Sequence, residues 1–182
     1  MKIIVIVGGS CTGKSSLARE LTDFYGYRPV VTYTTRSRRV DEIDEVDYHF
    51  RTNKVFDQLV LGNFFVEHRS YDASFGYCQY GTPRDEFEDE EGYRVLVLDP
   101  FGAWVFKQTF GDDVYMVYLK ADESIRILRA QERGDNLDEF CQRLERDADK
   151  FRMFERWNFW DIQFSKYESI ESMAEMIDQE SR

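Results

Sequence analysis

Uninterrupted apolar runs recur along the chain, separated by segments with helical spacing. Ile3-Ile4-Val5-Ile6-Val7 is apolar at every position, the pattern of a parallel strand covered on both faces. A loop follows over 8–13. Residues 15–24 then place Leu17, Leu21 and Phe24 on one helical face. Strand patterns return at 95–98 and 114–119, with weaker ones at 29–32 and 162–164. Helices are predicted over 52–61, from Ala103 onward, and over 124–133, 137–157 and 170–177. Thr52 is placed to cap the first of these and Gly62 to end it. Short strands are predicted at 64–67 and 77–80 around a loop. The acidic stretch 83–91 is predicted helical. Residues 36–47 are highly charged, have no core periodicity and predict a surface loop. Buried strands alternating with helices predict an α/β fold with a parallel central sheet flanked by helices. There is no repeat and no linker-like stretch.

Composition narrows the function classes. The chain has 182 residues, 42% hydrophobic and 16% aromatic, enough for one compact domain with a sizeable core. Its net charge of −11 argues against nucleic acid or an anionic membrane as partner. Cys11, Cys78 and Cys141 are odd in number and irregularly spaced. They form neither a disulfide framework nor a zinc site, which fits a reduced, cytoplasmic setting. No run approaches transmembrane length.

One motif carries specific chemistry. Gly8-Gly9-Ser10-Cys11-Thr12-Gly13-Lys14-Ser15 satisfies G-x-x-x-x-G-K-[ST], with a strand before it and a helix after it. The backbone N–H groups of such a loop turn inward as an anion nest, and the helix adds its positive end. Lys14 can reach the β and γ phosphates, and the Ser15 hydroxyl can ligate Mg²⁺. Residues Gly8 to Ser15, with Ser16 behind them, are the ATP-binding candidates, and Ser15 is the metal candidate. Cys11 reads as a small filler rather than a catalytic thiol.

The acceptor must be sought elsewhere. In Val31-Thr32-Tyr33-Thr34-Thr35-Arg36-Ser37-Arg38-Arg39-Val40-Asp41-Glu42, three arginines form the densest positive cluster of an acidic chain. A salt-bridged surface loop would look the same by composition. Arginine forks, however, bind phosphate oxygens bidentately, and Thr32 and Tyr48 add hydroxyl donors.

This segment resembles the guanylate kinase family, whose run is close to S-x-x-T-T-R-x-x-R-x-x-E-x-x-x-x-D-Y-x-F. Thr32, Thr34, Thr35, Arg36, Arg39, Glu42, Asp47, Tyr48 and Phe50 fall on it in register. A proline and a glycine of the family pattern are Arg38 and Asp41 here. The resemblance implies that Thr32, Arg36, Arg39 and Tyr48 hold the phosphate of GMP. Downstream, Glu67 and Tyr80-Gly81-Thr82 look like the family's base-reading and phosphate-binding residues, although they stand about four residues farther apart. Phe75-Gly76-Tyr77 is the alternative alignment. By similarity, Glu67 and Thr82 read the base and Tyr80 the phosphate. Val95-Leu96-Val97-Leu98-Asp99-Pro100-Phe101-Gly102-Ala103 resembles a third landmark. Asp99 matches one family aspartate, and Val97 stands where another is expected. Asp99 fits either an acceptor-binding acid or the N-cap of the next helix.

Arg126, Arg129 and Arg133 precede Gly134, and Arg143 and Arg146 follow on the next helix. The resemblance implies a lid whose arginines swing onto the transferring phosphoryl group, with Arg133 and Arg143 fitting best and Arg146 an alternative to Arg143. Arg126 and Arg146 read as solvated helix-face charges. The acceptor is already ionised, so neither His49 nor His68 is needed as a base. The catalytic candidates are Lys14, Arg39, Arg133 and Arg143. The resemblance implies a P-loop NTPase fold forming one domain over 1–182. Its core covers about 1–32, 93–125 and 150–182, its acceptor insertion about 33–92 and its helical lid about 126–149. It implies ATP and GMP or dGMP as partners, Mg²⁺ as cofactor, and a monomer or homodimer. Three other readings stand beside it: a kinase of another nucleoside monophosphate or a sugar phosphate, a non-catalytic guanylate-kinase-like binding module, and a regulatory NTPase.

Overall fold

The computed structural model describes residues 1–40, 42–73, 76–88, 91–165 and 168–182. The chain opens with β1 (Lys2–Gly8), α1 (Lys14–Tyr25), β2 (Arg28–Pro29), β3 (Tyr33–Thr34) and β4 (His49–Phe50). It continues through α2 (Asn53–Leu61), the hairpin β5 (Phe65–Ala73) and β6 (Gly76–Pro83), β7 (Tyr93–Leu98) and α3 (Pro100–Phe110). It ends with β8 (Val114–Leu119), α4 (Glu123–Glu132), α5 (Leu137–Trp157), β9 (Ile162–Phe164) and α6 (Ile170–Ser181).

The strands form two sheets. A five-stranded sheet has the order β2-β7-β1-β8-β9, with all neighbours parallel. Its central strand obeys the period of two. Ile3, Val5 and Val7 face Leu96, Met116, Phe106 and Phe154, the side covered by α3 and α5. Ile4 and Ile6 face Leu17, Leu21, Met173 and Ile177, the side covered by α1 and α6. Burial on both faces is why this strand is apolar throughout.

The second sheet has the order β4-β3-β6-β5 and is mostly antiparallel. It corrects three expectations. The strand predicted over 29–32 splits, because β2 pairs with β7 in the large sheet while β3 pairs with β6 in the small one. The loop predicted between 67 and 77 is largely ladder, since β5 and β6 pair from Phe65↔Pro83 out to Ala73↔Gly76. The stretch predicted helical over 83–91 contributes only a 3₁₀ turn at Asp85–Phe87, with 89 and 90 outside the described residues. The helix from Ala103 starts three residues earlier, at Pro100, where proline needs no N–H partner.

Gly81 lets α2 dock on the small sheet. Phe56 of α2 stacks on Phe65 with ring centroids 4.7 Å apart. A Cβ built on Gly81 would lie 2.9 Å from Phe65 Cδ1 and 3.0 Å from Phe56 Cζ. Gly81 is absent from the positive-φ residues, so space alone requires the glycine. Overpacking of this kind costs about 1–3 kcal/mol. Gly81→Ala is expected to lower unfolding free energy by about that amount in urea titration, and an unchanged midpoint would refute the packing argument.

Candidate active site

The phosphate loop is shaped by close backbone geometry. Gly13 caps α1 at φ 103°, a conformation that favours glycine. Cys11 also has a left-handed φ of 62°, which costs an L residue about 1–2 kcal/mol. Its side chain packs against Ala130, Phe140 and Leu144 of the α4–α5 pair, so the filler residue also ties the loop to those helices. Thr12 Oγ1 donates to the Gly9 carbonyl at 2.9 Å, and Lys14 Nζ donates to the same oxygen at 2.7 Å. Burial, with the nearby Arg126 charge, lowers Lys14 to about 8. Ser15 and Ser16 are exposed on the first turn of α1.

A cavity of about 540 Å³ runs from this loop to the small sheet. Ser10 and Lys14 line it from the loop, Thr32, Arg36, Arg39, Tyr48 and Tyr80 from the arginine segment and small sheet, and Glu67, Thr82, Val97 and Asp99 beside them. Arg143, Asp147 and Lys150 reach it from α5.

The arginine cluster is organised by Glu42. Arg36 Nη1 and Nη2 donate to the two Glu42 carboxylate oxygens at 3.0 and 2.7 Å. The Arg39 backbone N–H donates to Glu42 at 2.8 Å. Burial opposes ionisation of Glu42, but the Arg36 hydrogen bonds, the Arg39 N–H and the charges of both arginines together outweigh it and hold the carboxyl below its ordinary value. Arg36 is thus 7% exposed in its side chain while Arg39 remains 43% exposed. The predicted surface loop is therefore correct for the segment but not for Arg36, which it sends inward. Tyr48 and Tyr80 stand edge to face with centroids 6.1 Å apart, and the Arg36 guanidinium lies 5.4 Å from the Tyr48 ring.

Glu67 and Thr82 are cross-strand partners in the β5–β6 ladder. Thr82 Oγ1 donates to Glu67 Oε1 at 2.6 Å. Burial, reinforced by the Asp99 charge, raises Glu67 to about 7 against the pull of that hydrogen bond. The extra residues between Glu67 and Tyr80 lengthen the hairpin without disturbing this pair. Phe75 of the alternative alignment lies outside the described residues, and Tyr77 is exposed. Asp99 does two things at once. Its Oδ1 accepts from Gly102 N at 2.7 Å as the N-cap of α3, and its Oδ2 accepts from Tyr71 Oη at 2.5 Å. Tyr71 was not picked out by the sequence reading. Its signal was the alternation of 67, 69 and 71 on one strand face, hidden by assigning that stretch to a loop.

The α4–α5 arginines separate into two groups. Arg133 pairs with Asp135, and Arg143 lines the cavity. Arg126 and Arg129 reach the phosphate loop instead. Arg126 Nε donates to the Ser10 carbonyl at 2.8 Å and Arg129 Nη1 to the Cys11 carbonyl at 3.2 Å. The expectation that Arg126 is a solvated face charge is therefore overturned: it crosses from α4 onto the loop. The Arg146 side chain lies outside the described residues.

A parallel α/β sheet with a P-loop motif at the end of its central strand, facing an arginine-bearing segment across one cavity, defines the P-loop class of α/β fold. The guanylate kinase family model matches residues 1–179, and the chain belongs to the guanylate kinase family. The guanylate kinase of Chlorobaculum tepidum is 35% identical over 152 residues, covering 80% of this chain and 75% of that protein. That of Salinibacter ruber is 34% identical over 156 residues, covering 81% of each. In fold, the chain is similar to the crystal structure of guanylate kinase from Anaplasma phagocytophilum, with a TM-score of 0.73 and 24% identity over 98% of this chain and 82% of that one. Among the described residues no helix is long and apolar enough to cross a membrane.

Glu67 gives a test independent of any substrate. Its folded value of about 7 lies above the ordinary value of about 4.3. The folded state therefore holds a proton there that the unfolded chain has released. That stabilisation is fully present below about pH 4.3 and is lost as pH rises through about 7. Between pH 5 and 8 the wild type should lose more unfolding free energy than Glu67→Gln in paired urea titrations. Parallel pH profiles would refute the assignment.

Proposed function

We propose that this chain transfers the terminal phosphoryl group of ATP to GMP or dGMP, giving ADP and GDP or dGDP. The observation that carries this reading is the single cavity that joins Lys14, the Arg36–Tyr48–Tyr80 pocket and the Glu67–Thr82 pair. Membership of the guanylate kinase family supports the same reaction.

In this reading the loop from Gly8 to Ser16 holds the triphosphate of ATP, with Lys14 at its β and γ groups. Thr32, Arg36, Arg39, Tyr48 and Tyr80 hold the phosphate of the acceptor. An oxygen of that phosphate attacks the γ phosphorus, the bond to the β–γ bridging oxygen breaks, and ADP leaves with that oxygen. The acceptor phosphate has a second pKa near 6, so it attacks already ionised and no general base is required. The barrier lies in bringing two polyanions together, and alignment with positive charge on the transferring group lowers it. Lys14, Arg39, Arg133 and Arg143 supply that charge. Arg133 would exchange its Asp135 partner for the phosphoryl group, and Arg39 is exposed enough to move.

Glu67 and Thr82 read the base. Guanine presents N1–H and its 2-amino group side by side, and the Glu67 carboxylate accepts both. Adenine presents an acceptor at N1, which would face carboxylate lone pairs. Asp99 completes the acidic wall beside them.

Mg²⁺ fits the donor side through the exposed Ser15 hydroxyl on the first turn of α1. Among the described residues no group of three His, Cys, Asp or Glu could cage a metal ion. Such an ion would be held mainly by substrate phosphates and water. When bound it would neutralise charge on the β and γ phosphates. The chain is read as one domain over 1–182. Residues of about 1–32, 93–125 and 150–182 form its core, about 33–92 bind the acceptor, and about 126–149 form a lid that closes over the phosphates and limits hydrolysis.

The decisive measurement is ADP formation from ATP with each nucleoside monophosphate in turn. GMP and dGMP are expected to be the acceptors, and transfer to AMP or a sugar phosphate instead would overturn the reading. Lys14→Ala is expected to lower kcat by about 100-fold or more while leaving the circular dichroism spectrum intact. Near-normal turnover in that variant would sink the donor site. Glu67→Gln is expected to raise KM for GMP with little change in KM for ATP, because an amide presents a donor where guanine presents one. Equal rises for both substrates would contradict base reading by Glu67.

A further inference from the structure

Two cations beyond those assigned above reach the phosphate loop, Arg126 and Arg129. We propose that Arg126 is a direct contact for the polyphosphate chain of the donor nucleotide, a role that rests on the donor site of the proposed function.

Arg126 starts from the first turns of α4 and crosses to the loop. The bond from Nε to the Ser10 carbonyl, 2.8 Å long, fixes the guanidinium against the loop backbone. A Cβ built on Gly9 would lie 2.4 Å from Nη2 and 2.5 Å from Cζ of Arg126. The guanidinium therefore lies directly across Gly9, in the space a side chain there would take. Nη2 of Arg126 is buried and has no hydrogen-bond partner among the described residues. A clamp on the Ser10 carbonyl accounts for Nε and leaves Nη2 unexplained. Buried guanidinium donors are costly to leave unpaired.

Lys14 supplies the second observation. Its Nζ holds the Gly9 carbonyl at 2.7 Å, so the two cations address successive residues of the loop. They repel each other, and burial strengthens that repulsion. Asp147 on α5 is the acid that faces both, and it is itself largely buried. A buried unpaired donor beside a second buried cation, on the loop that leads into the N-terminus of α1, is stabilised by an anion placed among them. Such an anion satisfies Nη2 and cancels the repulsion together. The ligand that reaches successive loop residues is a chain of phosphates.

The test is calorimetric titration of the full chain with four probes: ATP with Mg²⁺, inorganic tripolyphosphate, AMP and GMP. Arg126→Leu removes the charge and Arg126→Lys keeps it. Arg126→Leu is expected to weaken ATP and tripolyphosphate by about 10- to 100-fold, the range for hydrogen bonds to charged groups. GMP and AMP should be unaffected, and Arg126→Lys should recover part of the loss. Unchanged ATP and tripolyphosphate affinity in Arg126→Leu would overturn the proposal. So would an equal weakening of AMP and ATP with a lower unliganded melting temperature, since that pattern belongs to a structural clamp. A wild type that binds tripolyphosphate through Arg126 but does not phosphorylate GMP would overturn the proposed reaction and leave this contact standing.

Discussion

Two polyanions must share one cavity in a chain of net charge −11, so its cations have to be held against their own repulsion before either ligand arrives. The structure uses two kinds of tether. On the donor side, Lys14, Arg126 and Arg129 bond to the carbonyls of Gly9, Ser10 and Cys11. A carbonyl fixes direction and leaves the positive charge uncancelled for a ligand. On the acceptor side, Arg36 is held by the carboxylate of Glu42. That pairing repays part of the cost of burial and sets the guanidinium plane, at the expense of net charge. Tyr48 and Tyr80 add hydroxyls that burial keeps protonated. They donate hydrogen bonds without adding repulsion.

The fold decides which tethers are available. In an open parallel sheet the carboxyl ends of the strands converge on one edge, where ligands bind. β1 delivers the phosphate loop there, and β7 delivers Asp99. The short β2 and β3 belong to different sheets. The chain therefore crosses from the large sheet to the small one just before Arg36. Pairing of β5 with β6 carries Glu67, Arg69 and Tyr71 to the cavity wall. Docking of Phe56 and Phe65 over Gly81 holds that hairpin in place.

The legible parts of the chain were those governed by local rules. The strand 114–119, the helix 137–157 and the strand 162–164 are bounded in the structure where their periodicity ends. The phosphate loop was legible because its function is written in its backbone. What stayed hidden depends on pairing between distant segments. The β5–β6 ladder has polar residues on both faces near its tip, so alternation fails there and the stretch reads as loop. Arg126 was hidden because helical spacing gives its face but not what packs against that face. Only a neighbour 116 residues away, Ser10, distinguishes it from a solvated arginine.

The Glu67 wall of the cavity shows how the same physics turns into selectivity. Both Asp99 oxygens already accept a hydrogen bond, one from the α3 backbone and one from Tyr71. Its charge is held by the fold, yet it still raises the neighbouring Glu67. Glu67 has one oxygen engaged by Thr82. The other lies 3.2 Å from where a Gly102 Cβ would stand, so the glycine keeps that oxygen uncovered. A carboxylate raised to about 7 in a buried wall gains more from a pair of N–H donors than an exposed one would, because it lacks water as an alternative. The same burial makes an acceptor placed opposite it costly. In the proposed reaction, discrimination between guanine and adenine thus comes from the desolvation that makes unliganded Glu67 unfavourable as an anion. The loss of an acid at Val97 fits this balance, since a further negative charge would raise Glu67 more and leave less of it ionised at neutral pH.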